Sequence, residues 1–401
     1  MHDRSHYAFL FSPLEVRNRQ LPNRIVMAPM GSNYTAEGGF VSESSIVYYA
    51  RRAEHGVGTI IVEATNVDRK GLLSRFQTGA WDDAFIPQFK KLTKAVQSRG
   101  AVILLQLTHG GAKAMPHLDD APIGPSAVQI GAKIPRQIEA GEIPALQQKY
   151  VDAARRALEA GFDGVEIHAC HLHLISQFLS PYTNRRSDAY GGNVENRARF
   201  LVETIRRTRE QLGRGFLISC RINGHELFDG GVRIEEAVQT AQILEREDID
   251  IVSVSALSQF LVFTFEGREY RYPTSVLPKE APDAYNTRYA AIVKRAIRKP
   301  VMAAGKVLSP QVAERLLQEG QADLIAIGRA LIADPAFVEK AARGESVNRC
   351  IECNACIKMA TVKDLPLGCP VNQEFREYRE YRDKESERWL AQAASESGGA
   401  K

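Results

Sequence analysis

The chain has 401 residues, 44% hydrophobic and 25% charged, and its 52 basic residues against 48 acidic ones leave a net charge of +4. That balance, with no Lys/Arg run, excludes an electrostatic footprint for nucleic acid, and no apolar stretch is long enough to span a membrane. The length suits one large α/β domain with an appendage, and the N-terminal MHDRSHYAFLFSP lacks the apolar core of a secretion signal, so a cytoplasmic protein is expected.

Short apolar runs alternate with amphipathic stretches about eight times. The runs are RIVMA (24–28), GTIIVEA (58–64), AVILLQL (101–107), DGVEIH (163–168), FLISCRI (216–222), DIVSVS (250–255), PVMAAG (300–305) and DLIAIG (323–328). They are short, β-branched and unalternating, as parallel strands buried on both faces are. VDAARRALEAG (151–161) and PQVAERLLQEG (310–320) carry apolar stripes at helical spacing and close on Gly161 and Gly320. Eight such units predict an α/β fold, a (β/α)8 TIM barrel over residues 1–345. The rival, a doubly wound sheet, lacks its G-x-G-x-x-G turn after the first strand. Two connections, 108–142 and 256–285, are longer than connection needs, and long loops at the C-terminal ends of barrel strands build active sites.

The expected strand ends carry informative groups. Strand one ends in Ala28-Pro29-Met30-Gly31, strand two near Glu63 and Ala64, strand three at Gln106. Strand four runs into HACHLHL, with His168, His171 and His173, whose density points to catalysis or a metal rather than core packing. Strand five ends at Arg221, which is costly to bury without an anionic partner. Strands seven and eight end in Gly305-Lys306 and Gly328-Arg329, where glycines let backbone N–H groups approach a phosphate.

Cys350, Cys353, Cys356 and Cys369 follow the eighth helix with spacing C-x2-C-x2-C-x12-C, and Pro370 comes directly after the last. Three thiols in seven residues plus a remote cysteine-proline suit a [4Fe–4S] cluster; a zinc site usually pairs two separated C-x2-C knuckles. Residues 346–372 are therefore read as a cluster-binding segment, and 373–401 as a charged tail with Phe375, Tyr378 and Tyr381 at helical spacing. Cys170 and Cys220 read as isolated core residues.

Taken together, LFSPLEVRNRQLPNRIVMAPM, QLTHGGA, the QFLSP–TN–R–D–YGG–ENR–RF series over 177–200 and the cysteine motif resemble the Old Yellow Enzyme family of FMN-dependent oxidoreductases. The resemblance spans roughly residues 8–372 and is stronger still to the family's iron–sulfur branch, which includes 2,4-dienoyl-CoA reductase and trimethylamine dehydrogenase. It implies that Pro29, Met30 and Gly31 line an FMN by main chain, that Ala64 and Gln106 meet its ring, and that Arg221 lies near the anionic edge of the reduced flavin. It further implies that Gly305, Lys306, Gly328 and Arg329 hold the FMN phosphate, while His168 and His171 grip a substrate carbonyl. The four cysteines would ligate the cluster. Where the family commonly has a tyrosine acid, this chain has His173, which either protonates the α carbon itself or marks a reaction that needs no such proton.

The leading expectation is hydride transfer between FMN and an activated C=C bond. The runner-up is oxidative N-demethylation of a methylated amine, with Tyr34, Phe260, Phe263, Phe265, Tyr270 and Tyr272 as candidate aromatic faces. A metal-dependent hydrolase using the histidines and a pure electron relay are the rivals from other classes. A separate electron-transfer protein or reductase subunit is the expected partner, with NAD(P)H as the alternative donor. No nucleic-acid or membrane partner is expected, and a homo-oligomer is compatible with the family.

Overall fold

The computed structural model describes residues 5–115, 121–130, 133–257, 259–265, 268–274, 277, 279–357, 359–360, 365–372 and 374–375. Eight parallel strands close a barrel: β1 (Ile25–Met27), β2 (Thr59–Asn66), β3 (Val102–Thr108), β4 (Gly164–Ala169), β5 (Leu217–Asn223), β6 (Ile251–Ser255), β7 (Val301–Ala304) and β8 (Leu324–Ile327). A helix follows each strand: α1 (Glu43–Glu54), α2 (Ile86–Gln97), α3 (Ile143–Glu159), α4 (Val194–Leu212), α5 (Ile234–Arg246), α6 (Thr287–Ala296), α7 (Pro310–Gln318) and α8 (Phe337–Ala342). All eight expected strands are present, and the (β/α)8 architecture is the one the alternation predicts.

The strands have two buried faces, which is why their sequences do not alternate. Outward side chains such as Ile60, Ile103 and Val165 join the helices in the main core. Inward ones, among them Val26, Ile61, Leu104 and Met302, fill the barrel interior. An N-terminal hairpin, Leu14–Val16 against Arg19–Leu21, adds Val16 and Leu21 to that interior. Its turn residue Arg17, at φ 57°, pairs with Asp248 and Asp250 at the N-terminal ends of the strands, opposite the side where function collects.

Helix α3 begins eight residues before the expected 151, because Pro144 sits in its first turn and Leu146, Gln147 and Tyr150 continue its buried face. Helix α7 starts as expected, with Pro310 in the first turn and the Ser309 hydroxyl accepting from the Val312 N–H. The connection 256–285 is not a plain loop: Gln259–Phe265 and Arg268–Thr274 pair as an antiparallel hairpin. In 108–142, Ile123–Gly124 and Arg136–Gln137 pair in parallel, and Arg186 ties the two together through the carbonyls of Pro125 and Ile138. Among the described residues no helix is long and apolar enough to cross a membrane.

Gly164, at the start of β4, lies close against β5, since a Cβ there lies 2.4 Å from the Leu217 carbonyl oxygen. Gly164→Ala is expected to destabilise the fold by about 1–3 kcal/mol, the cost of overpacking a close-packed interior. Urea unfolding checks this; an unchanged midpoint would mean that β4 and β5 separate at no cost.

Candidate functional site at the barrel top

A cavity of about 670 Å³ opens at the C-terminal ends of the strands. Its size falls within the roughly 300–1,000 Å³ of cofactor and ligand sites. Pro29, Met30 and Gly31 line it after β1, and a Cβ built on Gly31 meets nothing within 4 Å, so the backbone there is bare to a ligand. The ladder between β2 and β3 shifts register between Val62 and Thr65, and this irregularity presents Glu63 and Ala64 to the cavity. Gln106 reaches it from β3 and Arg221 from β5. Gly305, Lys306, Gly328 and Arg329 line the end where β7 and β8 finish. Gly305 has φ 133° and a Cβ on it would lie 2.6 Å from Asn286, so glycine is required at that turn.

The three histidines do come together. His168 lies 4.1 Å from His173 and 5.3 Å from His171 between ring centroids. His171 and Leu172 both adopt left-handed backbone, with φ 58° and 53°, which folds the segment back over the strand end. Nδ1 of His173 shares a hydrogen bond with the Thr108 hydroxyl at 2.6 Å, and Nε2 of His171 with the Ser255 hydroxyl at 2.9 Å. Nδ1 of His168 is buried with no protein partner. Burial, joined by repulsion from Arg221, Lys113 and the neighbouring rings, holds all three well below the ordinary histidine pKa. They are neutral imidazoles at neutral pH. Of the two alternatives for His173, this disfavours the first, because a neutral imidazole is a poor acid.

The sequence reading passed over three groups here. Lys113, after β3, lines the cavity, donates to the His171 carbonyl at 3.1 Å, and is pushed by burial down to about 7. Cys170 is not isolated: its sulfur lies 3.6 Å from His168 Nε2, and burial pushes its thiol upward. His168, Cys170 and His171 could geometrically hold a metal ion, and they are the one such group among the described residues. Lys113 and Arg221 act electrostatically on this group and oppose a dication there. Glu166, fully buried on β4, is the third. It accepts from Gln106 Nε2 at 2.8 Å and from the Ser219 hydroxyl at 3.2 Å, and Arg221 draws its pKa down against a larger burial effect. Only the basic residues within this His-rich stretch's reach could have flagged Lys113; nothing in the sequence marks Cys170 or Glu166.

Arg221 is buried, and its Nε and Nη1 have no hydrogen-bond partner. Buried guanidinium donors left unpaired in a cavity wall fit an electron-rich ring edge or another anionic group. With Nε2 of Gln106 committed to Glu166, the amide oxygen is left to accept from a ring N–H. These groups fit a flavin, and the bare backbone at Gly31 and the turn at Gly305 fit its close approach.

The cysteine segment forms one wall of the same cavity through Cys356, Ile357, Ala360 and Leu367. It is fastened there by hydrogen bonds from Asn33 to the Ala360 carbonyl (2.8 Å), from Tyr34 to the Leu367 carbonyl (2.7 Å) and from Asn372 to the Ile332 carbonyl (2.9 Å). Cys356 is buried, Cys350 and Cys369 are half-buried, and Cys353 is exposed. Burial raises the Cys350 and Cys356 thiols, and both also feel Cys369. No three of these sulfurs lie within 4.8 Å of one another. One zinc ion holds sulfurs about 2.3 Å from itself and hence crowds them together, whereas a cubane places a separate iron under each. Four thiols on one short segment beside the cavity are donors that a cluster could use.

Two expectations change. Tyr34 is fully buried against Tyr48, with its hydroxyl committed to Leu367, so it offers no aromatic face to a ligand. The side chains of Phe260, Phe263, Phe265, Tyr270 and Tyr272 lie outside the described residues, as do Tyr378 and Tyr381. Lys306 lines the cavity, but its ammonium is turned to the carbonyls of Lys279 and Ala281 and to Glu352.

The sequence matches the model of the NADH:flavin oxidoreductase / NADH oxidase family over residues 9–348. It is 39% identical over 377 residues to an NADH oxidase of Thermoanaerobacter brockii, covering 92% of this chain and 56% of that protein. It is 35% identical over 337 residues to an NADPH dehydrogenase of Bacillus subtilis (strain 168), covering 83% and 94%. A solved 2-naphthoyl-CoA reductase in complex with 2-naphthoyl-CoA superimposes with a TM-score of 0.83 at 28% identity, over 94% of this chain and 58% of that one. The chain thus spans little more than half the length of the NADH oxidase and of the naphthoyl-CoA reductase. A family match that begins before the first hairpin and ends just short of the cysteines leaves one assignment: the chain belongs to the NADH:flavin oxidoreductase / NADH oxidase family, the Old Yellow Enzyme family of flavin-dependent oxidoreductases.

Proposed function

We propose that this chain binds FMN and a [4Fe–4S] cluster and reduces an activated C=C bond, an enone or enoyl thioester, with electrons that originate from NAD(P)H. One observation carries the reading: a single cavity joins neutral His168 and His171, the unpaired donors of Arg221, and Cys356 of the cysteine segment. Bound FMN supplies hydride chemistry, and a bound cluster supplies single electrons. The residues do the rest. Neutral His168 and His171 donate N–H groups to the substrate carbonyl oxygen and stabilise the negative charge that grows there as the β carbon is reduced. Lys113, within hydrogen-bond reach of this turn and with a pKa of about 7, supplies the proton to the α carbon. Arg221 and Gln106 hold the polar edge of the ring, with Glu166 setting the Gln106 orientation.

The names of the relatives, an NADH oxidase and an NADPH dehydrogenase, support a nicotinamide donor. The aryl thioester of the structural neighbour supports a conjugated thioester as substrate. A separate electron-transfer protein or reductase subunit acting through the cluster is the alternative donor. The test is a UV–visible spectrum of anaerobically purified protein with iron and sulfide analysis. Flavin bands over a broad iron–sulfur background are expected. Flavin without iron would reassign the cysteines, and a protein that stays colourless after reconstitution with both groups would refute the proposal.

A further inference from the structure

Two residues between the cysteines, Glu352 and Asn354, hold left-handed backbone, with φ 57° and 55°. Asparagine tolerates this conformation; a glutamate stays in it only where its surroundings hold it. The holders are the two basic residues at the ends of β7 and β8. Lys306 Nζ lies 2.9 Å from Glu352 Oε2, and Arg329 Nη1 donates to Asn354 Oδ1 at 3.0 Å, with Nη2 3.8 Å from Glu352. All three charged side chains are nearly sequestered: 1% of Lys306, 10% of Glu352 and 12% of Arg329 is exposed. Lys306 follows Gly305 at the end of β7 and is itself left-handed, at φ 56°; Arg329 follows Gly328 at the end of β8. The two loops that take a phosphate in this fold are therefore the two supports of the cysteine turns.

We infer that Glu352 and Asn354 are positioning residues that link the two cofactor sites, so that binding of the flavin phosphate and filling of the cysteine site each strengthen the other. The inference rests on the FMN and cluster reading above. A phosphate that orders the loops after β7 and β8 fixes Lys306 and Arg329, and these fix the cysteine turns; the reverse holds by reciprocity. The phosphate does not displace the contacts. Lys306 is turned toward the Lys279 and Ala281 carbonyls and Glu352, and a guanidinium has five donors, enough for Asn354 and a phosphate oxygen together.

The experiment is a fluorescence titration of the full chain, stripped of flavin, with FMN and with riboflavin, which lacks the phosphate. Each is run with the cysteine site reconstituted by iron and sulfide and again after its removal. FMN is expected to bind about fivefold or more tightly when iron and sulfide are present, with little change for riboflavin. Glu352→Gly and Asn354→Gly, which keep the left-handed turns accessible, should bring the FMN ratio toward one. Equal FMN affinities in the two states of the unaltered chain would overturn the inference, as would a riboflavin ratio matching that of FMN, or an undiminished ratio in Glu352→Gly. Failure of FMN to bind at all, or of iron and sulfide to be retained, sinks the cofactor reading and this inference with it.

Discussion

Replacing His168 by alanine is expected to lower kcat/KM for an enone or enoyl thioester by about 10²–10³-fold, the usual loss when one donor to a developing oxyanion is removed. His171→Ala should fall in the same range, and the double variant should lose less than the product of the two, because both act on one oxygen. The basis is the state of the rings. Burial keeps both neutral, so each presents an N–H without carrying a charge that would cost solvation inside the barrel. Transfer of electrons from NAD(P)H to a one-electron dye bypasses the carbonyl and should change little. A double variant that still reduces the enone at the original rate would show that the histidines do not touch substrate.

The same neutrality assigns the pH dependence. Three imidazoles held well below their ordinary pKa cannot produce a limb near pH 7. Lys113 can, since burial brings it to about 7 while the neighbouring Cys170 pulls slightly the other way. With its ammonium as the proposed proton donor, turnover should be present below that pKa and fall as pH rises through it. Lys113→Met should remove the limb and lower the plateau.

The barrel was legible because its signal is spread over eight repeats of one grammar, and each buried strand is a run too apolar and too short to be anything else. The site was legible where glycines and histidines stand at strand ends and where cysteines crowd together after the last helix of the barrel. What escaped depends on side chains meeting across strands. Glu166 reads as one charge in a buried strand until β3 and β5 bring Gln106 and Arg221 beside it. Lys306 reads as a phosphate ligand until the cysteine turn arrives 46 residues later with Glu352. The hairpin at 259–274 was missed for another reason: QFLVFTF and REYRY are strand-like in composition, but a long connection between barrel units invites reading as a loop.

Arg221→Met should be the most damaging single change to flavin binding. Arg221 stands at the end of β5, 7% exposed, with two N–H groups unpaired in the cavity wall and Glu166 as its charged neighbour. A hydrogen bond to a charged group contributes about 1.5–3 kcal/mol, so losing two such donors should weaken FMN by about 10²–10³-fold or more. The guanidinium also favours the reduced, anionic ring over the oxidised one. A differential of about 3 kcal/mol corresponds to roughly 60 mV for a two-electron couple, so residual flavin in the variant should be harder to reduce by about that much. Arg221→Lys separates charge from geometry, since lysine keeps the charge but not the planar fork. If potential depends on charge alone, the lysine variant keeps it while affinity falls. Flavin that binds and titrates as before in Arg221→Met would mean that the unpaired donors do not face the flavin.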